Sequence, residues 1–581
     1  MRCQVGEQVG YSIRFEDVTS ARTKIKFLTD GMLLREALVD PLLTRYSVIM
    51  VDEAHERSLS SDILLGLLKK IKKRRPELRI IVSSATLDAE GFAEFFRDPD
   101  GADEQCRIIS IEGRTHPVDV LYLDQSTDDY VEKAVQTAFT IHQQEAPGDI
   151  LIFLTGREEI ETAMQKLSEL ASTLHPQADA LQPLPLYAGL STDDQMYVFS
   201  EAAENTRKVI LSTNIAEASV TVSGVVYVID CGFVKLRAFN PTTNIETLTP
   251  FPVSKASAIQ RAGRAGRTKP GKCLRLYTQA AYESLPATTP PEIQRSNLAP
   301  MVLQLKALGI DNIVRFDFIS PPPSQLLIRA FDLLYSLGAV DEYAKLTSPL
   351  GTRMAELAIP PMMAKCLLTS SDPRFNCQSE MLTIAAMTSL QGNVWFHHTG
   401  EKKAMDLSRR KFAAEEGDQL TLLNVYQGFV TKGKKEAKWC HENHLNFKSM
   451  QRAVSIRNQL RRYLERLGVK VQESLAASSL PPVLSTKTQT ADDKATNIVK
   501  CLVTGFFAHA AKMQPDGTFK SVSGDVTMHA HPTSLMFNRK AEFVVFHDLL
   551  ETGEKVYIKD ISKVQKQWLL DFSGGYYNVK S

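Results

Sequence analysis

The sequence predicts an α/β protein: two successive parallel-sheet units, then a helical region, then a small all-β end. Three observations predict it. Short apolar runs alternate with helical stretches, and the alternation starts afresh near Gly148. One run, Tyr46–Val51, is apolar almost throughout, as in a strand buried on both faces. Beyond Pro321-Pro322-Pro323 helical spacing takes over, until short strands with turn signals return near Asn497.

In the first unit, Lys24–Leu28 reads as a strand with Ile25 and Phe27 on one face, and Leu78–Ser83 as another; Ile63–Lys70 has helical spacing between them. Gly148–Leu154, Lys208–Ser212 and Val225–Asp230 are the strands of the second unit, and Glu158–Leu170 one of its helices. The stretch to about Leu475 is mainly helical. Ala476–Asp493, rich in Ser, Thr, Ala and Pro, reads as a linker. Asn497–Phe572, with turns at Asp516-Gly517 and Thr552-Gly553, reads as the all-β end with a few helical inserts.

A chain of 581 residues has room for about four domains. Lys and Arg (68) nearly cancel Asp and Glu (67), so any basic surface for nucleic acid must be local. The eight cysteines are scattered with no CxxC pair, which reads as reduced thiols in a cytosolic or nuclear protein. No apolar run approaches a membrane span, and Met1-Arg2-Cys3-Gln4 opens no signal-peptide core. Lys69–Arg75 is basic but continues a helical pattern, so it reads as a solvated helix face.

Asp52-Glu53-Ala54-His55 follows Tyr46–Val51, at the strand end where open α/β sheets bind ligands. A carboxylate there can hold Mg²⁺ and its neighbour can activate water, although a charged strand-to-helix cap has the same letters. Ser84-Ala85-Thr86 follows the next strand, and Thr213-Asn214-Ile215-Ala216-Glu217 a strand of the second unit. In Gln260-Arg261-Ala262-Gly263-Arg264-Ala265-Gly266-Arg267, glycines let backbone approach phosphate and arginines three apart share a helical face.

With Thr29-Asp30-Gly31-Met32-Leu33, these strings resemble, in order, the motif series of DEAH-box helicases of superfamily two. The resemblance spans essentially the whole chain, through Arg410–Tyr426, Trp439–Leu460 and Thr504-Gly505-Phe506-Phe507, and is closest to spliceosome-associated members. It implies a RecA-like domain over 1–111, a second over 112–290, a winged helix over 291–360, a helical ratchet domain over 361–475, and linker plus OB-fold over 476–581. It implies ATP and Mg²⁺ as cofactors and single-stranded RNA as partner. Spliceosomal proteins or a G-patch-type activator, and a nuclear location with the cytoplasm as a second site, follow by the same analogy.

By resemblance, Asp52 is the ligand of Mg²⁺ through water, Glu53 the base, and His55 the coupler to the second domain. Ser84 and Thr86 link hydrolysis to RNA movement. Gln260 contacts the terminal phosphate and water, and Arg264 and Arg267 are arginine fingers. Phe199 is placed like the aromatic that stacks on adenine, with a core aromatic as its other reading. Asp230 is placed to contact ribose, with a capping carboxylate as its other reading. Arg14, Thr29, Asp30, Gly156, Arg157 and Thr213 match RNA-contact motifs. Lys235–Pro250 resembles the family's long β-hairpin, and would look the same as an ordinary surface hairpin.

The chain departs from the family pattern in one large respect. It contains no GxxxxGK[ST] string; Gly271-Lys272-Cys273 lacks the first Gly and the hydroxyl. Residue 1 falls after that loop in family order, and Ala218 stands where relatives carry Thr. The leading expectation is a truncated piece of an ATP-dependent RNA helicase, inactive as written. An ATPase-dead RNA-binding isoform and an interaction scaffold are the alternatives.

Overall fold

The computed structural model describes residues 3–85, 89–97, 106–111, 116–175, 178–187, 190, 192–217, 222–243, 245–390, 393–396, 402–433, 435–471, 489–524, 526–537, 539–552 and 555–577. Thr86, Ala218 and most of the expected linker lie outside them.

The first region contains two small sheets. Strands β1 (Val9–Ile13), β2 (Glu16–Val18) and β3 (Ile25–Leu28) form one, in the order β2-β1-β3. After α1 (Asp30–Val39), strand β4 (Val48–Val51) pairs in parallel with β5 (Arg79–Val82) across α2 (Leu59–Arg74); α3 (Ala89–Phe96) follows. The strands lie where the apolar runs put them, but their burial differs from expectation. On β4, Ile49 and Val51 are buried while Val48 and Met50 are 51% and 57% exposed. On β3, Ile25 and Phe27 do share a face, and it is exposed. The reason is layering: the buried face of β4 belongs to the same core as α1 and α2, and no described residue covers the other.

The second region is a six-stranded, wholly parallel sheet. Its strands are β6 (Val118–Tyr122), β7 (Asp149–Phe153), β8 (Ala180–Leu186), β9 (Thr206–Ser212), β10 (Val225–Asp230) and β13 (Gly271–Arg275), in the order β6-β13-β10-β7-β9-β8. Here burial on both faces holds. Ile150, Ile152, Val209 and Leu211 pack with α4 (Tyr130–Gln144) and α5 (Arg157–Ala171); Leu151, Phe153 and Ile210 pack on the other side with residues of α6 (Thr192–Val198) and α7 (Lys255–Gly263). A continuous apolar strand is what two covering layers require.

The hairpin β11 (Phe233–Asn240) and β12 (Ile245–Pro252) leaves this sheet, and α8 (Gln279–Ser284) closes the region. Helices α9 (Ala299–Ala307) to α13 follow: α10 (Ser324–Ser336), α11 (Leu350–Glu356), α12 (Pro361–Thr369) and α13 (Gln378–Thr388). Then come α14 (Lys402–Arg410), α15 (Asp418–Thr431), α16 (Ala437–Glu442) and α17 (Phe447–Arg466). Helix α18 (Gln489–Phe506) takes residues assigned by sequence to the linker and to the start of the all-β end, whose helical inserts were expected. A closed barrel then forms from β14 (Ala510–Met513), β15 (Phe519–Ser521), β16 (Thr527–Ala530), β17 (Phe543–Thr552) and β18 (Lys555–Val564), and α19 (Lys566–Phe572) ends it. The molecule is therefore of mixed α/β class.

The hairpin is not free. Ile245 is buried in the barrel's own apolar core, and Thr249 Oγ1 donates to Glu551 Oε2 at 3.0 Å. Phe239 N–H donates to the Arg295 carbonyl (2.6 Å) and Arg329 Nε to the Pro241 carbonyl (2.6 Å), which fixes the hairpin against α10 as well.

Candidate functional site

Strand β4 delivers Asp52 to its carboxyl end, where it is exposed. The chain then turns sharply: Glu53 has φ 50° and Arg57 φ 48°, left-handed conformations that cost a non-glycine residue about 1–3 kcal/mol each. The turn is over-determined by bonds. Glu53 N–H donates to Asp52 Oδ1 (3.0 Å), and Ala54 N–H to the Ser83 carbonyl at the end of β5 (2.9 Å). Arg57 forks onto the fully buried Asp62 (2.7 and 3.0 Å) and reaches Ser320 Oγ (2.8 Å). Burial raises the Asp62 carboxyl above its ordinary range, against the pull of Arg57. Glu292 completes the clamp by accepting from Leu59 N–H (2.8 Å). Sequence reading missed Arg57 and Glu292. An Arg following the motif was the signal available for the first; Glu292, far along the chain, gave none.

His55 is the joint between the two strand-end motifs. Its buried ring accepts at Nδ1 from Ala85 N–H (3.2 Å), which leaves Nε2, 3.4 Å from Glu53 Oε2, as the ring's donor. Ser84, beside Ala85, is half-buried. The Ser84-Ala85 segment thus touches His55, which faces Glu53.

Across from this turn, α7 presents Gln260 and then Arg264 and Arg267. Ser254 caps the helix by accepting from Ser257 N–H (3.1 Å). Glu217 is the hub. Its carboxylate accepts from Ser257 Oγ and from Arg261 Nε (2.9 Å), and its carbonyl accepts from Arg264 Nε (2.9 Å). Burial, then Arg267 beside it, pushes the Arg264 guanidinium down to about 10, while Glu53 pulls it the other way. Arg264 therefore lies in the field of Glu53: the structure brings strand-end carboxylate and helix-end arginine together from opposite regions. An added Cβ on Gly263 would meet no atom within 4 Å, whereas one on Gly266 would lie 2.5 Å from the His116 carbonyl oxygen. Gly263 leaves open space beside the arginines; Gly266 serves packing.

Asp230 carried two readings, ribose contact and capping carboxylate, and it stands as a buried hydrogen-bond acceptor. It is fully buried, with Oδ1 accepting from Arg261 (2.7 Å) and Gly232 N–H (3.0 Å) and Oδ2 from Tyr277 (2.9 Å). That leaves no face for a ribose; Asp230 is the anchor of Arg261. Phe199, after α6, is 37% exposed, with Met196 and Tyr197 exposed beside it.

The expected RNA residues divide. Gly156 and Arg157 follow β7, and Thr213 follows β9; the two strands pair through Phe153 and Ser212, so these residues share one carboxyl-end edge. Arg157 Nε bonds Glu161 (2.6 Å). Thr29 precedes α1, and Asp30 accepts from Ser61 Oγ (2.5 Å). Arg14 stands apart from them: its Nε donates to the Ala358 carbonyl (2.8 Å) and its guanidinium covers Phe15 at 4.9 Å. With Arg35, bonded to the Glu356 and Leu357 carbonyls, it satisfies the end of α11.

Among the described residues, no group of three His, Cys, Asp or Glu could hold a metal by itself. A Mg²⁺ at Asp52 would thus take its other ligands from phosphate and water, as this ion commonly does. Exposed Asp52, the opposed Arg264 and the space at Gly263 fit a metal and the outer end of a polyphosphate. The sequence supplies no glycine-rich loop to cradle the rest.

The chain matches four family descriptions in order. They are the helicase conserved C-terminal domain (130–269), the winged-helix (330–359) and ratchet-like (360–422) parts of the helicase associated domain HA2, and the oligonucleotide/oligosaccharide-binding (OB) fold (498–576). It is 49% identical over 580 residues to the human "Probable ATP-dependent RNA helicase DHX35", covering 99% of this chain and 79% of that protein. Its identity to the Caenorhabditis elegans "Probable ATP-dependent RNA helicase DHX35 homolog" is 46%, covering 99% and 76%. Similarity at this level along nearly the whole chain, with the strand-end carboxylates and helix-end arginines in place, means that the chain belongs to the DEAH-box RNA helicases.

Proposed function

We propose that the chain is the RNA-gripping and phosphate-sensing part of an ATP-dependent RNA helicase, and that by itself it binds single-stranded RNA without turning over ATP. The observation that carries this is the Glu53–Arg264 opposition, which has the groups for hydrolysis but no loop to hold the nucleotide. When bound, Mg²⁺-ATP would supply the phosphoryl group whose loss drives movement; Asp52 would hold the metal, and Glu53 would accept the proton of the attacking water. Arg264 and Arg267, with Gln260, offset charge developing on the terminal phosphate, a role worth about 10³–10⁵ in rate in other nucleotide hydrolases. Phe199 offers its open ring to the base. Ser84, beside the Ala85–His55 bond, and by resemblance Thr86, link the change to RNA movement. Thr29, Asp30, Gly156, Arg157 and Thr213 hold phosphates without reading sequence. By family analogy, movement runs 3′ to 5′, in nuclear pre-mRNA splicing, with spliceosomal proteins or a G-patch-type activator as partners.

The purified 581-residue chain tests this. Fluorescence anisotropy should show oligoribonucleotide binding, while phosphate release stays at background with RNA present. RNA-stimulated release that Glu53→Gln abolishes would overturn the reading. Polarity is checked on a full-length helicase carrying these residues, by unwinding of duplexes with a 3′ rather than a 5′ overhang.

A further inference from the structure

Between α8 and α9 the chain makes one 3₁₀ turn, Glu292–Gln294, and this turn grips two distant parts of the molecule. On one side it holds the sharp turn after β4. Glu292 N–H donates to the Arg57 carbonyl (3.1 Å), and the Glu292 carboxylate accepts from Leu59 N–H (2.8 Å). The bonds continue to Glu53: Arg57 N–H donates to the Ala54 carbonyl (3.2 Å) and Glu56 N–H to the Glu53 carbonyl (2.9 Å). On the other side it holds β11 of the hairpin. The Arg295 carbonyl accepts from Phe239 N–H (2.6 Å), and Arg295 Nη1 donates to the Arg237 carbonyl (2.7 Å).

What joins the two grips is short and stiff. Pro290 and Pro291 fix φ on the way in, and no glycine interrupts the run to Ser296. The Glu292 carbonyl accepts from both Arg295 N–H (3.1 Å) and Ser296 N–H (3.0 Å), which ties the two gripping residues directly to each other. Ile293, between them, is fully buried in one apolar core with Phe239 of the hairpin and Leu64 of α2. At roughly 2 Å of rise per residue, positions 292 and 295 stand about 6 Å apart. A displacement of β11 therefore meets no slack before it reaches Arg57. Glu53 and Arg57 both hold left-handed conformations, so the turn at the far end is one that small changes in its bonds can relax.

We propose that Glu292 and Arg295 are positioning residues: through the single turn that carries both, the seat of the hairpin sets the position of Arg57 and, with it, of Glu53. This rests on the reading of the chain as the RNA-gripping part of a helicase. It names a route from hairpin to strand-end carboxylate that is separate from the Ala85–His55 contact.

The test is a double-mutant cycle on the full chain, read by hydrogen exchange of the Ala54–Arg57 amides with mass spectrometry. Ile245→Ala empties the hairpin's place in the barrel core and so loosens its seat. It should change exchange at Ala54–Arg57 about fivefold, the low end for coupled sites. With Arg295→Ala or Glu292→Ala already present, Ile245→Ala should change it by less than about twofold, the scatter of independent sites. Glu292→Gln keeps an acceptor for Leu59 N–H and should restore the full response. An unchanged thermal melt shows that each variant folds, and Ile245→Val takes the place of Ile245→Ala if the latter melts early. A turn that only staples the regions together gives independent effects, each variant acting by the same factor in either background. That result overturns the proposal, as does exchange at Ala54–Arg57 that Ile245→Ala leaves unmoved. Anisotropy of a fluorescein-labelled oligouridylate on the same samples checks the reading beneath it. No binding overturns that reading and leaves the cycle to judge the turn; binding with independent effects overturns the turn's role alone.

Discussion

Arg261 lies between two residues expected to work on the nucleotide, yet it points into the interior of the second region. It is 1% exposed, bonded to Asp230 and Glu217, and stacked over Phe153 at 4.9 Å. Burial alone would lower its affinity for the proton; Asp230 and then Glu217 outweigh that and hold the guanidinium above its ordinary value. Arg261→Met should destabilise the second region by about 3–5 kcal/mol, because two buried carboxylates lose their partner. Arg261→Lys should recover little, since an ammonium cannot fork to both. Denaturant unfolding of each variant measures the loss. The motif's letters place three arginines on successive turns, but only the packing shows that the first faces Asp230 while Arg264 is turned to Glu53. The sequence left Asp230 between a ribose contact and a capping carboxylate for the same reason: strand position was legible and the buried cation beside it was not.

At the scale of elements, strand positions were legible because apolar runs mark them, and burial was legible only where both covering layers lie among the described residues. Val225–Asp230 has two layers; Val48–Val51 has one. Hydrogen exchange should therefore be faster in Val48–Val51 than in Val225–Asp230, while Leu64–Ile71 of α2, inside the common core, stays protected. Equal protection of the two strands would refute this. The barrel adds a pH dependence that no sequence pattern announced. His509 stacks on Phe546 (5.0 Å, 11°), and burial followed by the nearby His547 pushes its imidazole from 6.5 down to about 4. The fold thus holds a neutral ring, so its contribution is complete above about 6.5 and is lost as pH falls towards 4. Asp560, raised from 3.8 to about 7 by burial and by Asp418 and Asp548, works in the opposite sense, its contribution fading as pH rises over that range. His509→Phe should move the acid-unfolding midpoint of the barrel, followed by near-ultraviolet circular dichroism, to lower pH. An unmoved midpoint would remove His509 as the cause.

For the whole molecule, the order of regions could be read from the motifs, but not how they share their interiors. One apolar core runs from Leu33 and Leu64 through the helices to Leu569. The first region is therefore joined to the helical region by shared packing as well as by the chain. The seating of the hairpin extends this to the barrel. Ile245 fills a place among Phe519, Met528, Val544 and Ile558, although more than 250 positions of sequence separate it from the nearest of them. The stretch that matches the OB-fold family, 498–576, thus does not fill its interior by itself: it borrows a side chain from the second α/β region. Anyone grafting this barrel onto another protein must carry the hairpin tip with it or plug the gap with a new apolar residue. A lineage that lengthened or shortened the hairpin would have to repack the barrel at the same time.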